Sequence, residues 1–334
     1  MSVTMKQIAA IAGVTPTTVS LVMKDSKKVS AKTKEKIRKL MGDMDYYPDI
    51  SASNLKQGKT NTIAVLSTFL HGIFKMEFVN GVESVIIDSP YRLNQFYTRI
   101  GEEAKKHKEI LLGKMADAVI TMSLNTDPAM LHTMRGKGKH VVLVEDVLEG
   151  FPGVKFDNFR GAYMATEHLI KSGRKKIAFS IAEFKMYSGH QNVDERLKGY
   201  KKALKDNNIE FDKDMIVELP NYTIETGRSI FTTLKNNRIK YDAIFCASGD
   251  LTAAGFLKEA AANKIGVPDD IAVVGYDDTI IASATSPGLT TIRQPAFQMG
   301  QAACRLAISL MEQKSGDNNR IIVFNPELIK RESA

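Results

Sequence analysis

The residues best suited to chemistry crowd into the first sixty positions, and the chemistry they suit is ionic. Eleven lysines and arginines stand there against five acids, so six of the eight net positive charges of this 334-residue chain fall in that stretch. A basic surplus placed this way marks a binder of nucleic-acid phosphates, because each neutralised phosphate releases condensed counterions. Spacings for catalysis are missing. No G-x-G-x-x-G follows a strand-like run, no G-x-S-x-G occurs, and the six histidines share no metal-ligand spacing. Ser53 to Thr60 ends like a phosphate loop in Gly58-Lys59-Thr60, but the first glycine and the preceding strand are absent. The expectation is a chain that is not an enzyme and uses no cofactor or metal. Cys246 and Cys304 each sit in an apolar pattern and read as buried thiols of a reducing compartment, not as a disulfide.

Three helices would position the charges. Thr4 followed by Gln7 has the form of a capping box, so a helix should start near Met5, with Ile8, Ile11 and Ala12 on one face and Gly13 at its end. Thr15 caps a second helix whose first residue, Pro16, gives up a donor that has no intrahelical partner, and Val19, Val22 and Met23 form its inner face. Ser30 caps a third, in which Ile37, Leu40, Met41 and Met44 repeat with the helical period until Pro48. Two short helices joined by a tight glycine turn and braced by a third make a helix-turn-helix. The polar run from Asp49 to Thr60 is too short to be a stable helix on its own in water.

From residue 62 onward strand-like runs alternate with helical patterns. Strands are predicted at 63–66, 118–122, 141–144, 177–181, 243–246 and 271–276, and helices at 76–88, 103–112, 162–172, 193–207, 225–236, 253–263 and 298–314. Such alternation predicts parallel α/β sheets covered on both faces, arranged as two doubly wound lobes with a ligand crevice at the carboxyl ends of their strands. No run of about 18 apolar residues appears, and the chain opens on a capped helix instead of a signal peptide, so a cytoplasmic protein is expected.

The pattern T-x-x-x-I-A-x-x-A-G-V-T-x-x-T-V-S, carried by Thr4, Ile8, Ala9, Ala12, Gly13, Val14, Thr15, Thr18, Val19 and Ser20, resembles the DNA-binding headpiece of the LacI/GalR family of bacterial repressors. The resemblance continues through Asp157-Asn158-x-x-Gly161, His168-Leu169-x-x-x-Gly173, Arg196-Leu197-x-Gly199-Tyr200, Val273 to Asp278 and Ser286 to Pro295, which match that family's periplasmic-binding-protein-like effector domain. It implies a helix-turn-helix domain at 1–48, a hinge at 49–61 and an effector-binding and dimerisation domain at 62–334. Within the last, the N-terminal lobe would be about 62–160 with 292–320, and the C-terminal lobe about 161–290 with 321–334. The implied protein is a homodimeric repressor on double-stranded operator DNA, controlled by a small molecule such as a sugar bound between the lobes. Ala52 and Leu55 of a hinge helix would meet the DNA, with Leu55 wedged into a minor-groove step. Lys6, Pro16, Thr17 and Leu21 would read bases, with Thr15 and Lys24 also at the DNA, while Thr4, Thr18, Ser20, Lys28 and Ser30 suit phosphate contacts.

For the effector, the resemblance carries over Arg196, Tyr222, Asp250 and Asp277, and Phe74, Asp146, Tyr187 and His190 are further candidates. Arg196 can hold a hydroxyl pair or a carboxylate in bidentate fashion, Asp277 supplies an acceptor from the other side, and Tyr222 offers a face for stacking. Several positions depart from the family. Gly249 stands in place of an asparagine, His71-Gly72-Ile73-Phe74 in place of an N-P-F-F-like start, and residues 182–193 form a longer loop that includes Glu183, Tyr187 and His190. Leu21 replaces a common arginine and Lys24 a common asparagine. Phe78, Val79, Val82, Val85 and Ile86 suit either a dimer surface or the core. No leucine heptad follows residue 320, which favours a dimer over a tetramer. Control by a protein partner, and a ligand-binding protein without a DNA role, are the alternatives.

Overall fold

Capping chemistry sets the first three helices. The computed structural model describes residues 3–23, 25–47, 59–68, 72–99, 101–124, 126–182, 190–313 and 319–334. In it α1 spans Met5–Ala12, α2 Pro16–Met23 and α3 Ala31–Asp43. The Thr4 hydroxyl accepts from the Gln7 amide, and the Gln7 side chain accepts from the Thr4 amide at 2.8 Å, so two donors at the start of α1 are satisfied reciprocally. Gly13 turns the chain out of α1 at φ 71°, a left-handed conformation that glycine adopts without a Cβ clash. Thr15 Oγ1 accepts from the Thr18 amide at 3.2 Å and Ser30 Oγ from the Thr33 amide at 3.3 Å, which start α2 and α3.

Ile8, Ala9, Ala12, Val19, Val22, Ile37 and Tyr46 close the small core of this unit. Ile11, predicted on the inner face of α1, is 54% exposed. The buried stripe runs through positions i, i+1 and i+4 from Ile8, so Ala9 and not Ile11 faces the core with Ile8 and Ala12. Lys34 and Arg38 reach Asp25 at 2.9 and 2.6 Å and together hold its carboxyl below the usual range. Lys36 Nζ donates to the Ala12 carbonyl at 2.9 Å, one of the acceptors left open at the end of α1.

Residues 61–334 form the second compact unit, built on two six-stranded sheets. The first has the order β11-β5-β4-β3-β1-β2, from Thr62–Ser67 (β1), Arg92–Tyr97 (β2), Ala118–Met122 (β3), His140–Val144 (β4), Gly153–Phe156 (β5) and Ile321–Phe324 (β11). All its pairings are parallel. The second has the order β12-β10-β9-β8-β6-β7, from Ile177–Ala182 (β6), Ile216–Leu219 (β7), Ala243–Cys246 (β8), Ala272–Asp277 (β9), Thr290–Arg293 (β10) and Glu327–Ile329 (β12). Only β12 runs antiparallel there, against β10. Helices α4 (Ile73–Ile86), α5 (Glu103–Leu112), α6 (Pro128–Gly136), α7 (Asn158–Lys171), α8 (Gln191–Asp206), α9 (Ile224–Asn236), α10 (Asp250–Ala262), α11 (Ile280–Ala284) and α12 (Ala296–Met311), with a 3-10 turn at Lys213–Met215, complete the described elements. The central strands are buried throughout, as parallel strands covered on both faces must be.

The chain passes between the sheets after β5, after β10 and between β11 and β12. Residues 321–324 therefore lie in the N-terminal lobe, not the C-terminal lobe predicted for 321–334. The physical reason is the open backbone edge of β5, which β11 pairs in parallel from Ile321 opposite Gly153 to Phe324 opposite Phe156. Phe78, Val79, Val82 and Ile86 are buried under α12 and serve the core. Helices α4 and α12 cross backbone to backbone, since a Cβ at Gly81 would fall on the Phe297 carbonyl and one at Gly300 on the Phe78 carbonyl. Cys246 and Cys304 are buried free thiols, each pushed up to about 12 by burial.

Candidate effector cleft and DNA-binding surface

The predicted DNA residues lie away from the headpiece core. Thr4, Lys6, Thr15, Pro16, Thr17, Lys28 and Ser30 are exposed, and Thr18, Ser20 and Leu21 are half-buried, while Val19 and Val22 of the same helix are buried. Pro16 and Thr17 open α2, where helix amides point outward and favour a phosphate or a base-edge acceptor. One hydroxyl is already committed: Thr4 Oγ1 donates to Gln7 Oε1 at 2.9 Å, so a phosphate must displace that bond. Lys24, Pro48, Ala52, Leu55, His71, Glu183 and Tyr187 lie outside the described residues.

In the body, the carboxyl ends of the strands surround a cavity of about 1090 Å³. Thr68 follows β1, Thr98 and Arg99 follow β2, Ser123 follows β3 and Glu145 follows β4; from the second sheet come Tyr222 after β7, Ser248 after β8 and Asp277 at the end of β9. This is where open α/β sheets place ligands. Backbone strain gathers at the same rim. Ser123, Glu145 and Asp277 have φ of 50°, 72° and 106°, values that side-chain-bearing residues seldom adopt and that cluster at ligand sites.

Six of the predicted effector residues line this cavity: Phe74, His190, Arg196, Tyr222, Asp250 and Asp277. Arg196 projects from α8; its Nε donates to Asn158 Oδ1 at 2.8 Å and its Nη1 to the Ala247 carbonyl at 2.7 Å. The guanidinium also lies 3.9 Å from the centre of the Tyr276 ring. Two of its five donors are thus used in holding the site, and among the described residues no partner takes the others. Asp277 Oδ1 accepts from Gln294 Nε2 at 2.6 Å, and burial raises its carboxyl above the usual range against the pull of Arg196.

Two predicted ligand carboxylates have other work. Asp250 commits both oxygens to the protein: Oδ2 accepts from the Thr279 amide at 2.7 Å and hydroxyl at 3.0 Å, and Oδ1 from the Thr291 hydroxyl at 2.7 Å. It forms part of the wall but braces β8 against β9 and β10, and burial, then Asp277, raises its carboxyl. Asp146 does not line the cavity. Its Oδ2 meets His190 Nδ1 at 2.8 Å and its Oδ1 accepts from the Gln191 amide at 2.6 Å, while Gln191 Nε2 donates to the Val147 carbonyl at 2.7 Å. With Lys155 and Glu195 at 3.0 Å, these bonds form a clasp between the first lobe and α8 of the second.

The sequence reasoning missed Glu145, Gln294 and Lys75, which all line the cavity. Glu145 follows the apolar run 141–144 and Gln294 ends the matched segment around 290–295, so their places just past strands were the available signal. Burial pushes Glu145 up to about 7 and lowers Lys75 to about 8. Among the described residues no group of three or more His, Cys, Asp or Glu is placed to hold a metal, and no helix is long and apolar enough to cross a membrane.

A helix-turn-helix unit and a two-lobed body with a cleft at its strand ends have the architecture of a DNA-binding regulator with an effector domain. Residues 4–49 match the model for bacterial regulatory proteins of the lacI family, and residues 166–334 that for a periplasmic binding protein-like domain. The chain is 32% identical to the HTH-type transcriptional regulator RegA of Clostridium saccharobutylicum, covering 100% of this chain and 99% of that one. It is 29% identical to the HTH-type transcriptional repressor PurR of Vibrio vulnificus, covering 99% and 98%. The solved structure of a transcriptional regulator CelR–cellobiose complex matches with a TM-score of 0.73 at 28% identity, covering 99% of this chain and 100% of that one. A Lac repressor dimer bound to operator and the anti-inducer ONPF shares the fold, with a TM-score of 0.85 at 23% identity, covering 100% and 99%. The chain belongs to the lacI family of bacterial regulatory proteins. It is therefore a DNA-binding transcriptional regulator and not an enzyme.

Proposed function

We propose that this regulator is a cytoplasmic, homodimeric repressor whose hold on operator DNA is set by a small molecule in the cleft. The cavity of about 1090 Å³ that gathers residues of both sheets carries this reading, since a ligand spanning it must favour one angle between the lobes. That a CelR relative is seen in complex with cellobiose supports a small polar effector. The clasp of Asp146, His190 and Gln191 gives the lobes a contact that an effector must preserve or break. Two headpieces would set their Pro16-started helices into successive major grooves, with Lys6, Thr17 and Leu21 at base edges and Leu55 of each hinge wedged at the centre. The test is retention of an operator duplex by the full chain during a titration with candidate metabolites. Release or tightening by a compound that also raises the melting temperature supports the reading. Compounds that bind the protein without changing operator affinity would remove the effector role.

A further inference from the structure

The floor of the cleft holds acceptors that the protein leaves unused. Glu145 is 4% exposed; its Oε2 accepts from Asn158 Nδ2 at 3.2 Å, whereas Oε1 meets no donor among the described residues. Gln294, also 4% exposed, gives its amide nitrogen to Asp277 and likewise leaves Oε1 without a donor. Both residues line the cavity beside Asp277, with their unpaired oxygens just beneath its surface, and Glu145 and Asp277 are close enough to raise the cost of ionising Glu145. A buried acceptor without a donor carries its desolvation cost uncompensated until a ligand supplies one.

The charges of the lining point the same way. Four carboxyl groups, Glu145, Glu225, Asp250 and Asp277, face three cations, Lys75, Arg99 and Arg196, and the Arg196 guanidinium already serves Asn158, Ala247 and Tyr276. Beside Glu145 and Asp277 an anionic ligand would meet two carboxyls whose ionisation burial already opposes. A protonated amine carries three donors and no acceptor, which suits three oxygens that accept once Glu145 is ionised, and Phe74 and Tyr222 add aromatic groups to the same cavity. Thr68, Thr98, Ser123, Asn192 and Thr279 add hydroxyl and amide groups for the rest of a polar molecule.

We infer that the effector is an amine-bearing polyol whose ammonium seats on Glu145 Oε1, Gln294 Oε1 and the free oxygen of Asp277, with Glu145 as the residue that selects it. This assignment rests on the cleft being the effector site. Burial holds the free Glu145 carboxyl near 7, opposed by Arg196 and reinforced by Asp146 and Asp277. Seating an ammonium therefore expels a proton from Glu145, and affinity for an amine should rise with pH through neutrality, until the amine itself loses its charge.

The experiment is thermal melting of the full chain with matched sugars at saturating concentration: glucosamine against glucose, galactosamine against galactose, and mannosamine against mannose. At least one amino member is expected to raise the melting temperature more than its hydroxyl partner. Glu145→Gln should lose that preference, and calorimetric titration of wild type should show proton release. Gln294→Leu, which leaves the carboxyl in place, should weaken binding about tenfold and keep the preference. Circular dichroism and the ligand-free melting temperature establish that both variants fold. Equal or stronger binding of the hydroxyl partners, an amine preference that survives Glu145→Gln, or no response to any amino sugar would overturn the inference. Operator release by an uncharged sugar would do so too, while leaving the cleft as the effector site.

Discussion

Arg196 shows how one side chain joins recognition to architecture. The sequence marked it as a ligand group, and the structure adds that it ties Asn158, the Ala247 carbonyl and the Tyr276 ring together. Arg196→Ala is expected both to abolish effector response and to lower stability by about 1–3 kcal/mol, because Asn158 and Ala247 lose a buried partner. Denaturant melts paired with effector titrations check this, and an unchanged midpoint would confine Arg196 to the ligand. Glu145 has the opposite effect on stability. Its carboxyl titrates at an ordinary 4.5 when unfolded and near 7 when folded, so the folded state binds the extra proton between those values. Stability should fall as pH rises through that window, and Glu145→Gln should flatten the fall. At this scale type and spacing sufficed to place Arg196 and Asp277 in the cleft wall and the cap at Thr4. The sequence was silent on Glu145 and Gln294, whose roles arise from burial that no residue type announces.

Long apolar runs were legible as elements, whereas β5 and β10, interior and largely buried but only four residues each, were not predicted. Strands β3 and β8 fall where their apolar runs end, at Ala118–Met122 and Ala243–Cys246, and α5 keeps its predicted bounds at Glu103–Leu112. Edge strands were not readable: β2 is Arg-Leu-Asn-Gln-Phe-Tyr with most of its side chains exposed, and β12 has only three residues. Helices begin earlier than periodicity suggested. Asp157 Oδ1 accepts from the Arg160 amide at 2.9 Å and starts α7 at Asn158, four residues before the predicted 162. The crossing of α4 and α12 gives a direct check on packing. Gly81→Ala must push the helix backbones apart and is expected to cost about 1–3 kcal/mol in chemical denaturation, whereas Gly136→Ala, with open space around its Cβ, should not. In the clasp, Asp146→Asn should weaken the lobe contact through His190 and Gln191 and shift the effector concentration needed for half response, with little change in the headpiece.

For the whole molecule, function rests on joining two units, the basic helix-turn-helix and the two-lobed body. Their domain pattern was readable because caps, the glycine turn and α/β alternation are local signals. The return of β11 to the first lobe was not, because pairing with β5 is a long-range choice. If the hinge acts as proposed, Leu55→Ala should weaken specific operator binding much more than binding to random duplex, since the wedge forms only on the correct site. Equal losses on both DNAs would remove that role. The most direct measurement is selection of duplexes from a random pool by the full-length chain, followed by a salt titration on the recovered sequence. The account predicts a pseudo-palindrome with half-sites about 10 base pairs apart and a flexible pyrimidine–purine step at its centre. Recovery of no preferred sequence, with binding that simply fades as salt rises, would contradict it.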